Sequence, residues 1–181
     1  MNETKRMDVI GLLGPMRRYA RTLTRDEAQA EDLVQDTLVR AYEGSSTFRS
    51  GGNLRGWLLS ILHNTFIDSR RRDAAEARRM QQAAEIAEPV SPAEQENRVR
   101  LRQIQQAFVS LPEEQRAVLH LVAIEGLSYQ EAAESLGIPV GTLMSRLGRA
   151  RAALRTFEAG AAQAAVGRPR PNLRVVGGSH D

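Results

Sequence analysis

The chain has 181 residues, a formal net charge of +3 at pH 7 and a sequence pI of about 9.9. Because it contains no cysteine, disulfides and thiolate metal sites are excluded, which is compatible with a reducing cytosol. The first residues, MNETKRMD, are polar rather than signal-like, and no apolar run approaches the length of a membrane span, so we expect a cytoplasmic protein without direct membrane insertion.

The first block, residues 1–72, is predicted to be a compact helical bundle. Apolar residues recur at helical spacing over Leu12–Leu23, where Pro15 is expected to mark a kink or a break between short helices. Thr24 and Glu27 form a cap-like pair before the next helix. The predicted buried face of that helix contains Ala30, Leu33, Val34, Thr37, Leu38 and Ala41.

A turn region at about 44–53 precedes a third, longer helix. Trp57 has two interpretations, a ring available for stacking on a base or a core residue, and its position in the apolar stripe favours the core. Asn64 borders the buried face by helical phase, where its amide would form hydrogen bonds with backbone groups. His63 is expected to be incidental to the function. The apolar stripe contains Leu54, Trp57, Leu58, Ile61, Leu62, Thr65 and Phe66.

Residues 73–97 are predicted to be a flexible linker, partly helical at best. The apolar period decays there into alanine, glutamine and mixed charges, and Pro89 and Pro92 would break a helix. Such a linker would let the two blocks move independently. The second block is predicted at 98–158, and the alanine, glycine and proline content of residues 159–181 predicts a disordered tail.

The second block contains a helix over PEEQRAVLHLVAIEG followed by a helical hairpin in LSYQEAAESLGIPVGTLMSRLGRAR. In the first of these helices the residues predicted to face inward are Val118, Leu119, Val122 and Ala123. In the hairpin, Ser128 and Glu131 form a reciprocal cap, Gly137 supplies the turn, and the second helix begins at about Val140. The buried face of that second helix contains Val140, Leu143, Leu147 and Ala150.

This hairpin has the form of a DNA-reading helix-turn-helix. Its turn is short, the charges from Val140 to Arg155 are all positive, and the preceding helix can support it. The alternative is a structural hairpin, in which the arginines are simply a solvated helix face. A stand-alone regulator of the response-regulator kind would carry a similar hairpin, but the first block lacks the alternation of strands and helices of a receiver domain.

Three segments carry a family resemblance: AEDLVQDTLVRAY, FRSGGNLRGWLLSILHNTFIDSRRR, and LPEEQRAVLHLVAIEGLSYQEAAESLGIPVGTLMSRLGRARAAL. Together, in this order, they resemble a bacterial RNA polymerase sigma factor of the small extracytoplasmic-function class of the sigma-70 family. The resemblance runs from about Leu12 to Leu154. It implies an all-α protein of two small helical domains, region 2 in the first block and a region 4 helix-turn-helix in the second, joined by a flexible linker.

For the first segment, the resemblance implies that one exposed helix face docks on the coiled coil of the polymerase largest subunit. A solvated helix face would be the ordinary interpretation in most proteins. The residues expected to bind polymerase are Asp32, Gln35, Asp36 and Arg40.

For the second segment, the resemblance implies recognition and melting of the minus-10 promoter element. A glycine-rich loop against a helix that carries Asn64 could hold an extruded base, and arginines including Arg72 are suited to phosphates. The residues expected to contact minus-10 DNA are Ser50, Gly51, Gly52, Asn53, Arg55, Asn64, Arg70 and Arg71.

For the third segment, the resemblance implies that the helix from Val140 enters the major groove at the minus-35 element. An arginine that binds guanine O6 and N7 together contributes roughly 1–3 kcal/mol of discrimination, but which residues read bases is left open. Met144 stands where many relatives carry a basic residue. The residues expected to contact minus-35 DNA are Thr142, Ser145, Arg146, Arg149 and Arg151.

No enzyme chemistry can be assembled from the sequence, and no catalytic residue, cofactor or metal is expected. His63, His120 and His180 are isolated, and no glycine loop is followed by the lysine and hydroxyl that bind nucleotide phosphates. The expected partners are core RNA polymerase (its largest subunit and flap regions), promoter DNA and an anti-sigma factor, with no small-molecule substrate. A remaining alternative is a sigma-like decoy that sequesters an anti-sigma factor without binding DNA.

Overall fold

A computed structural model describes residues 9–49, 51–80 and 106–166. Every regular element in these ranges is helical, which confirms the predicted all-α class. Ser50, most of the predicted linker and the end of the predicted tail lie outside the described residues.

The described part of the first block contains three α-helices, α1 (Leu13–Thr24), α2 (Glu27–Glu43) and α3 (Leu54–Met80). Two short 3-10 helices, Ile10–Leu12 and Ser45–Thr47, precede α1 and follow α2. The break predicted at Pro15 is wrong, because Pro15 lies in the first turn of α1, where the missing N–H has no intrahelical acceptor to lose. The predicted cap before α2 is also wrong. Asp26 is the N-cap, and its side chain accepts a hydrogen bond from the Gln29 amide at 2.8 Å.

The core of the first block is formed by the inward faces of these helices. The predicted α2 face is buried except for Leu38, which is partly buried and packs against the core. Trp57 is likewise partly buried on the core, and its ring is tilted against Phe48 with centroids 5.2 Å apart. Burial of each large apolar side chain stabilises the bundle by about 1.5–3 kcal/mol. The fully buried side chains contributed by α1 and α3 are Met16, Tyr19, Leu58, Leu59 and Leu62.

The second block begins, in the described part, with a helical segment at 106–110. It continues with α4 (Glu113–Leu119), α5 (Tyr129–Leu136) and α6 (Val140–Val166). The reciprocal cap of α5 is confirmed, because Ser128 and Glu131 each bond the other's backbone amide. The turn at Gly137 is also confirmed. Its φ of 63° lies in the left-handed region that glycine adopts without steric cost.

A π-helical turn, His120–Ile124, follows α4 and changes which residues face inward. Ala123, which was predicted to be buried, is exposed, and Val122 is only partly buried. Leu121 and Glu125 are buried instead. The wider turn inserts a residue into the helical repeat, so the side chains after His120 are rotated relative to a regular α-helix.

Two helices run farther than the sequence predicted. α3 continues to Met80, past residue 72 and into the segment predicted to be a linker. α6 continues to Val166, past the predicted start of the disordered tail at residue 159. Alanine is frequent in both extensions, and it is the residue with the highest helix propensity.

The two blocks pack directly against each other in this conformation. α3 packs against α5, and α1 packs against α4, so the buried apolar residues of both blocks form one continuous cluster. This closed arrangement differs from the independent movement expected for two domains on a flexible linker.

The Ser128 cap gives a direct test of the α5 boundary. Ser128→Ala removes the hydroxyl that accepts from the Glu131 amide, and we expect it to lower the free energy of unfolding by about 1 kcal/mol. Urea denaturation followed by circular dichroism measures the change. Ser46→Ala, at an exposed serine in the 3-10 helix Ser45–Thr47, is the matched control and should be neutral. Equal effects of the two substitutions would contradict the role of the cap.

Candidate nucleic-acid interface

The four residues predicted to bind polymerase share the exposed face of α2. Asp32, Gln35 and Asp36 are exposed. Arg40 is exposed too, but its guanidinium is held by Asp68 of α3 at 2.9 Å. Two large apolar side chains that the sequence interpretation did not single out, Val39 and Tyr42, are 57% and 83% exposed on the same helix. An exposed strip of apolar, amide and acidic groups is suited to bind another protein.

The glycine loop before α3 has a defined conformation. Gly51 has φ of 88°, a left-handed value that favours glycine. Asn53 caps α3, because its side-chain oxygen accepts from the Gly56 amide at 3.0 Å. The amide nitrogen of Asn53 donates to Glu131 of α5 at 2.7 Å. One side chain of the predicted minus-10 set is therefore bound by the second block.

A cavity of about 350 Å³ lies between this loop and α5. Gly52, Asn53 and Trp57 contribute to one wall, and Glu131 and Ser135 to the other. Its lining combines aromatic, amide and carboxylate groups, so it can accept both a ring face and hydrogen-bond donors.

Asn64 is not part of this cavity. It lies about three turns farther along α3 than Asn53, roughly 16 Å by the rise of an α-helix. Its side chain is exposed, so the interpretation in which it satisfies buried backbone groups is wrong. Arg70 and Arg71 are exposed one to two turns beyond it, where they and Asn64 are open to an elongated ligand along α3.

Among the described residues of the predicted minus-10 set, Arg55 occupies the most enclosed position. Its guanidinium is ion-paired with the carboxylate of Glu125, whose side chain is completely buried. Arg18 of α1 also reaches that carboxylate, at 3.1 Å, and His120 lies 3.2 Å from it through Nε2. The cluster thus joins two arginines of the first block and one histidine of the second block to the buried acid of the second block.

The predicted minus-35 residues differ in their solvent exposure and in their side-chain partners. Ser145, Arg149 and Arg151 are exposed on α6, and the Arg149 guanidinium donates to the Ser145 hydroxyl at 2.9 Å. Thr142 is partly exposed. Arg146 is the least exposed of the arginines in this set, at 23% for its side chain, because it pairs with Glu114 of α4 at 2.8 Å.

Three residues that join the blocks were missed by the sequence interpretation. Arg116, only 2% exposed, donates to the backbone carbonyls of Thr22 and Leu111 at 2.7 and 2.8 Å. Burial lowers the pKa of Arg116. His120 and Glu125 had no sequence signal as a pair, because an ordinary α-helix would not direct both side chains inward.

His63, which was expected to be incidental, bonds the buried Tyr19 hydroxyl at 3.0 Å.

Comparisons with known proteins agree with these two blocks. Residues 11–76 match the family model for sigma-70 region 2, and residues 101–154 match the model for sigma-70, region 4. The ECF RNA polymerase sigma factor EcfG of Rhodopseudomonas palustris is 34% identical over 157 residues, which cover 85% of this chain and 84% of that protein.

Solved structures give the same result. The sigma factor RpoE of Bartonella quintana, in complex with the anti-sigma factor NepR, matches with a TM-score of 0.69 and 32% identity, covering 83% of this chain and 94% of that one. CnrH, in complex with the cytosolic domain of CnrY, matches with a TM-score of 0.60 and 27% identity, covering 84% and 85%. Within the described residues, no helix is long and apolar enough to cross a membrane.

The two described histidines predict how stability depends on pH. Burial, with a smaller contribution from Arg146, lowers the pKa of His63 from 6.5 to about 4. Burial also lowers the pKa of His120 to about 4; the charges of Arg18 and Arg55 act in the same direction, and Glu125 opposes them. Because the unfolded chain binds these protons more readily, stability is fully present above pH 6.5 and is lost as the pH falls towards 4.

We expect the free energy of unfolding at pH 5.5 to be lower than at pH 7.5 by about 1 kcal/mol for each of the two histidines. Urea titrations at both pH values measure the difference. His63→Gln and His120→Gln should each reduce the difference between the two pH values, whatever they do to the stability at pH 7.5. If neither substitution changes the difference in free energy of unfolding between the two pH values, the pH dependence does not come from these histidines.

Proposed function

This chain belongs to the extracytoplasmic-function class of the sigma-70 family, and we propose that it binds core RNA polymerase and directs promoter-specific initiation by reading minus-35 and minus-10 elements. The observation that carries the proposal is the presence, in one chain, of an exposed polar and apolar face on α2 and an exposed cationic helix in a helix-turn-helix. RNA synthesis would be catalysed by the polymerase, so the chain itself is a regulatory subunit rather than an enzyme and would act in the cytoplasm.

Polymerase docking is assigned to the exposed face of α2. Asp32, Gln35 and Asp36 offer acceptors and an amide to basic and polar side chains of a partner helix, and Val39 and Tyr42 add apolar area at the same surface. Such a mixture, with aromatic area beside a few polar groups, is typical of protein interfaces. Arg40, paired with Asp68, would contribute at the edge of this surface and fix its side-chain geometry.

Minus-10 recognition is assigned to the loop and the exposed side of α3. Gly51, Gly52 and Asn53 would approach an extruded base with backbone and amide groups, and Ser50 belongs to the same loop by sequence. Arg55, Arg70 and Arg71 would hold phosphates, with Asn64 between them along α3. The length of α3 that separates the loop from Asn64 favours contacts with successive nucleotides over a single pocket.

Minus-35 recognition is assigned to the exposed side of α6. Arg149, oriented by Ser145, is the best candidate to read a base, and Thr142 and Arg151 would contact base edges or flanking phosphates. Arg146 would have to leave Glu114 before it could contact DNA, so we assign it a secondary contribution.

We further propose that the chain works as two units, residues 1–72 and 98–158, separated by a linker at 73–97 into which α3 extends, with residues 159–181 as a tail. Simultaneous binding of two promoter elements by tethered units gives specificity beyond that of either unit. An anti-sigma partner is proposed because the matching structure of RpoE is a complex with the anti-sigma factor NepR. The matching structure of CnrH is also a complex, with the cytosolic domain of CnrY.

The α2 assignment predicts the effect of removing its polar groups. Asp32→Ala, Gln35→Ala and Asp36→Ala in one protein should weaken binding to purified core polymerase more than tenfold, which corresponds to about 1.4 kcal/mol. Co-purification and fluorescence titration measure the affinity. Asp73→Ala with Glu76→Ala is the matched control. It also removes two negative charges, but from exposed positions on α3 rather than α2. Unchanged retention of polymerase by the triple variant would remove the assignment.

The α6 assignment is tested by run-off transcription on genomic DNA with purified core polymerase, followed by mapping of the start sites. On a promoter found in this way, Arg149→Ala should reduce transcription roughly 5- to 100-fold, as expected for the loss of a bidentate contact to guanine. The same variant should have little effect on that promoter after its minus-35 element has been scrambled.

Arg155→Ala is the matched control, since Arg155 is exposed on the same helix two turns farther on. Absence of any promoter-dependent transcript with the unaltered protein would defeat the proposed function. A footprint on duplex DNA without polymerase would favour the stand-alone regulator instead.

A further inference from the structure

The two blocks are joined by hydrogen bonds and ion pairs to buried groups as well as by apolar packing. The central one is the carboxylate of Glu125, from the second block, whose side chain has no exposed surface. Arg18 of the first block donates to it through Nε and one terminal nitrogen at 3.2 and 3.1 Å, and Arg55 of the first block is ion-paired with its other oxygen. Two helices of the first block thus converge on one acid of the second.

His120 completes the surroundings of this carboxylate. Its Nε2 lies 3.2 Å from Glu125, and its Nδ1 lies 2.8 Å from the hydroxyl of Thr22 in α1. With the hydrogen on Nε2, neutral His120 donates to Glu125. Its Nδ1 can then accept from the Thr22 hydroxyl of the first block, whose single hydrogen is shared with the Arg18 carbonyl at 3.0 Å.

A second row of contacts lies beside the cluster. Glu131 accepts from the Asn53 amide at 2.7 Å, and the Ser135 hydroxyl donates to the carbonyl of Gly56 at 3.2 Å. Both rows join the start of α3 to the segment from the π-helical turn to α5. They hold the helix-turn-helix against the loop that precedes α3.

These contacts occupy groups that the proposed function needs for DNA. Arg55 and Asn53 belong to the proposed minus-10 set, and each is bound to a carboxylate of the second block. Carboxylate and phosphate oxygens present the same acceptors to a guanidinium, so Glu125 and a DNA phosphate would compete for Arg55. Binding of a phosphate by Arg55 would therefore require it to release Glu125.

We propose that the Glu125 carboxylate holds an autoinhibited closed state. In this state region 4 binds Asn53 and Arg55, the minus-10 residues at the start of α3, and must release them before promoter DNA can bind there. This inference rests on the proposed function, because it uses the minus-10 assignment of Arg55 and Asn53. The occupant of the surface is the chain's own helix-turn-helix, and no further ligand is required.

The cluster has the features of a contact that can open. The Nε of Arg55 is buried and has no hydrogen-bond partner among the described residues. An unpaired buried donor disfavours the closed state, and opening would let it bond water or a phosphate. Buried ion pairs also add little net stability compared with apolar packing, although removal of one partner is costly because it leaves the other charge unpaired.

Arg18→Gln is the primary test, since Arg18 reaches Glu125 from outside the proposed DNA set and its side chain is half exposed. Arg17→Gln is the matched control. It makes the same charge change at the neighbouring position, and its ion pair with Glu31 at 2.9 Å lies within the first block. Both variants are made in a background with Ala28→Cys and Ala153→Cys, two exposed positions that take fluorescent labels in a chain without natural cysteine.

We expect energy transfer between the labels to decrease in Arg18→Gln and to remain unchanged in Arg17→Gln. Binding of the free protein to a short mixed-sequence single-stranded DNA should tighten roughly threefold or more in Arg18→Gln, because a larger fraction of the molecules is competent. Neither measurement needs polymerase, so both test whether the Glu125 contact holds the closed state independently of the transcription assay. Unchanged energy transfer in Arg18→Gln, or opening without tighter DNA binding, would overturn the proposal.

A cross-link tests the closed state without destabilising it. Ser60 and Glu134 line opposite sides of the cavity between the blocks and lie outside the proposed DNA set. Ser60→Cys with Glu134→Cys, joined by a reducible bis-maleimide, should lose binding to single-stranded DNA and recover it on reduction. The two single-cysteine proteins, treated in the same way, should not respond. Full DNA binding by the cross-linked protein would contradict autoinhibition.

Discussion

Burial of the Glu125 carboxylate is the constraint on which the closed structure depends. A carboxylate removed from water must be paired and hydrogen-bonded, and here the partners come from both blocks. Arg18 and Arg55 can meet it only if α1 and α3 lie against the end of the π-helical turn that follows α4. The position of region 4 on region 2 is therefore fixed by charge and hydrogen bonding, in addition to the apolar contacts of α3 with α5.

The closed state leaves the α2 face open, while the second block binds two side chains of the proposed minus-10 set. Asp32, Gln35 and Asp36 remain exposed on α2, whereas Asn53 and Arg55 are bound by acids of the second block. Polymerase can therefore dock on α2 before the blocks separate. On this arrangement docking on α2 would not require opening, whereas binding of promoter DNA by Asn53 and Arg55 would.

Sequence rules predicted helix caps, turns and buried faces, because these features depend on residues that are close together in the chain. The Ser128–Glu131 cap, the turn at Gly137 and the buried face of α2 each depend on residues within a few positions of one another, and all were recognised correctly. The two small domains and their family were also predictable, since three segments carry the resemblance in order. The DNA and polymerase residues remain predictions, because no partner is present to test them.

What the sequence could not indicate depends on a change of helical register and on contacts between distant residues. Nothing in HLVAI marks a π-helical turn, and without that turn Glu125 would be assigned to solvent and Ala123 to the core. The pairing of Glu125 with Arg18 spans 107 positions. A regular-helix interpretation also missed the capping role of Asp26, because Thr24 and Glu27 have the spacing of a cap without its geometry.

The polar contacts of the interface would help one chain to exchange the closed conformation for the proposed open one. Hydrogen bonds exchanged for bonds to water change the free energy little, about 0.5–1.5 kcal/mol each, whereas separation of a wholly apolar interface would expose its full area to water. Asn53, Ser135 and Arg116 each make such exchangeable bonds across the interface. Because Arg55 gains a partner for its buried Nε when it meets a phosphate, DNA can compensate the loss of Glu125, and the same guanidinium serves both states.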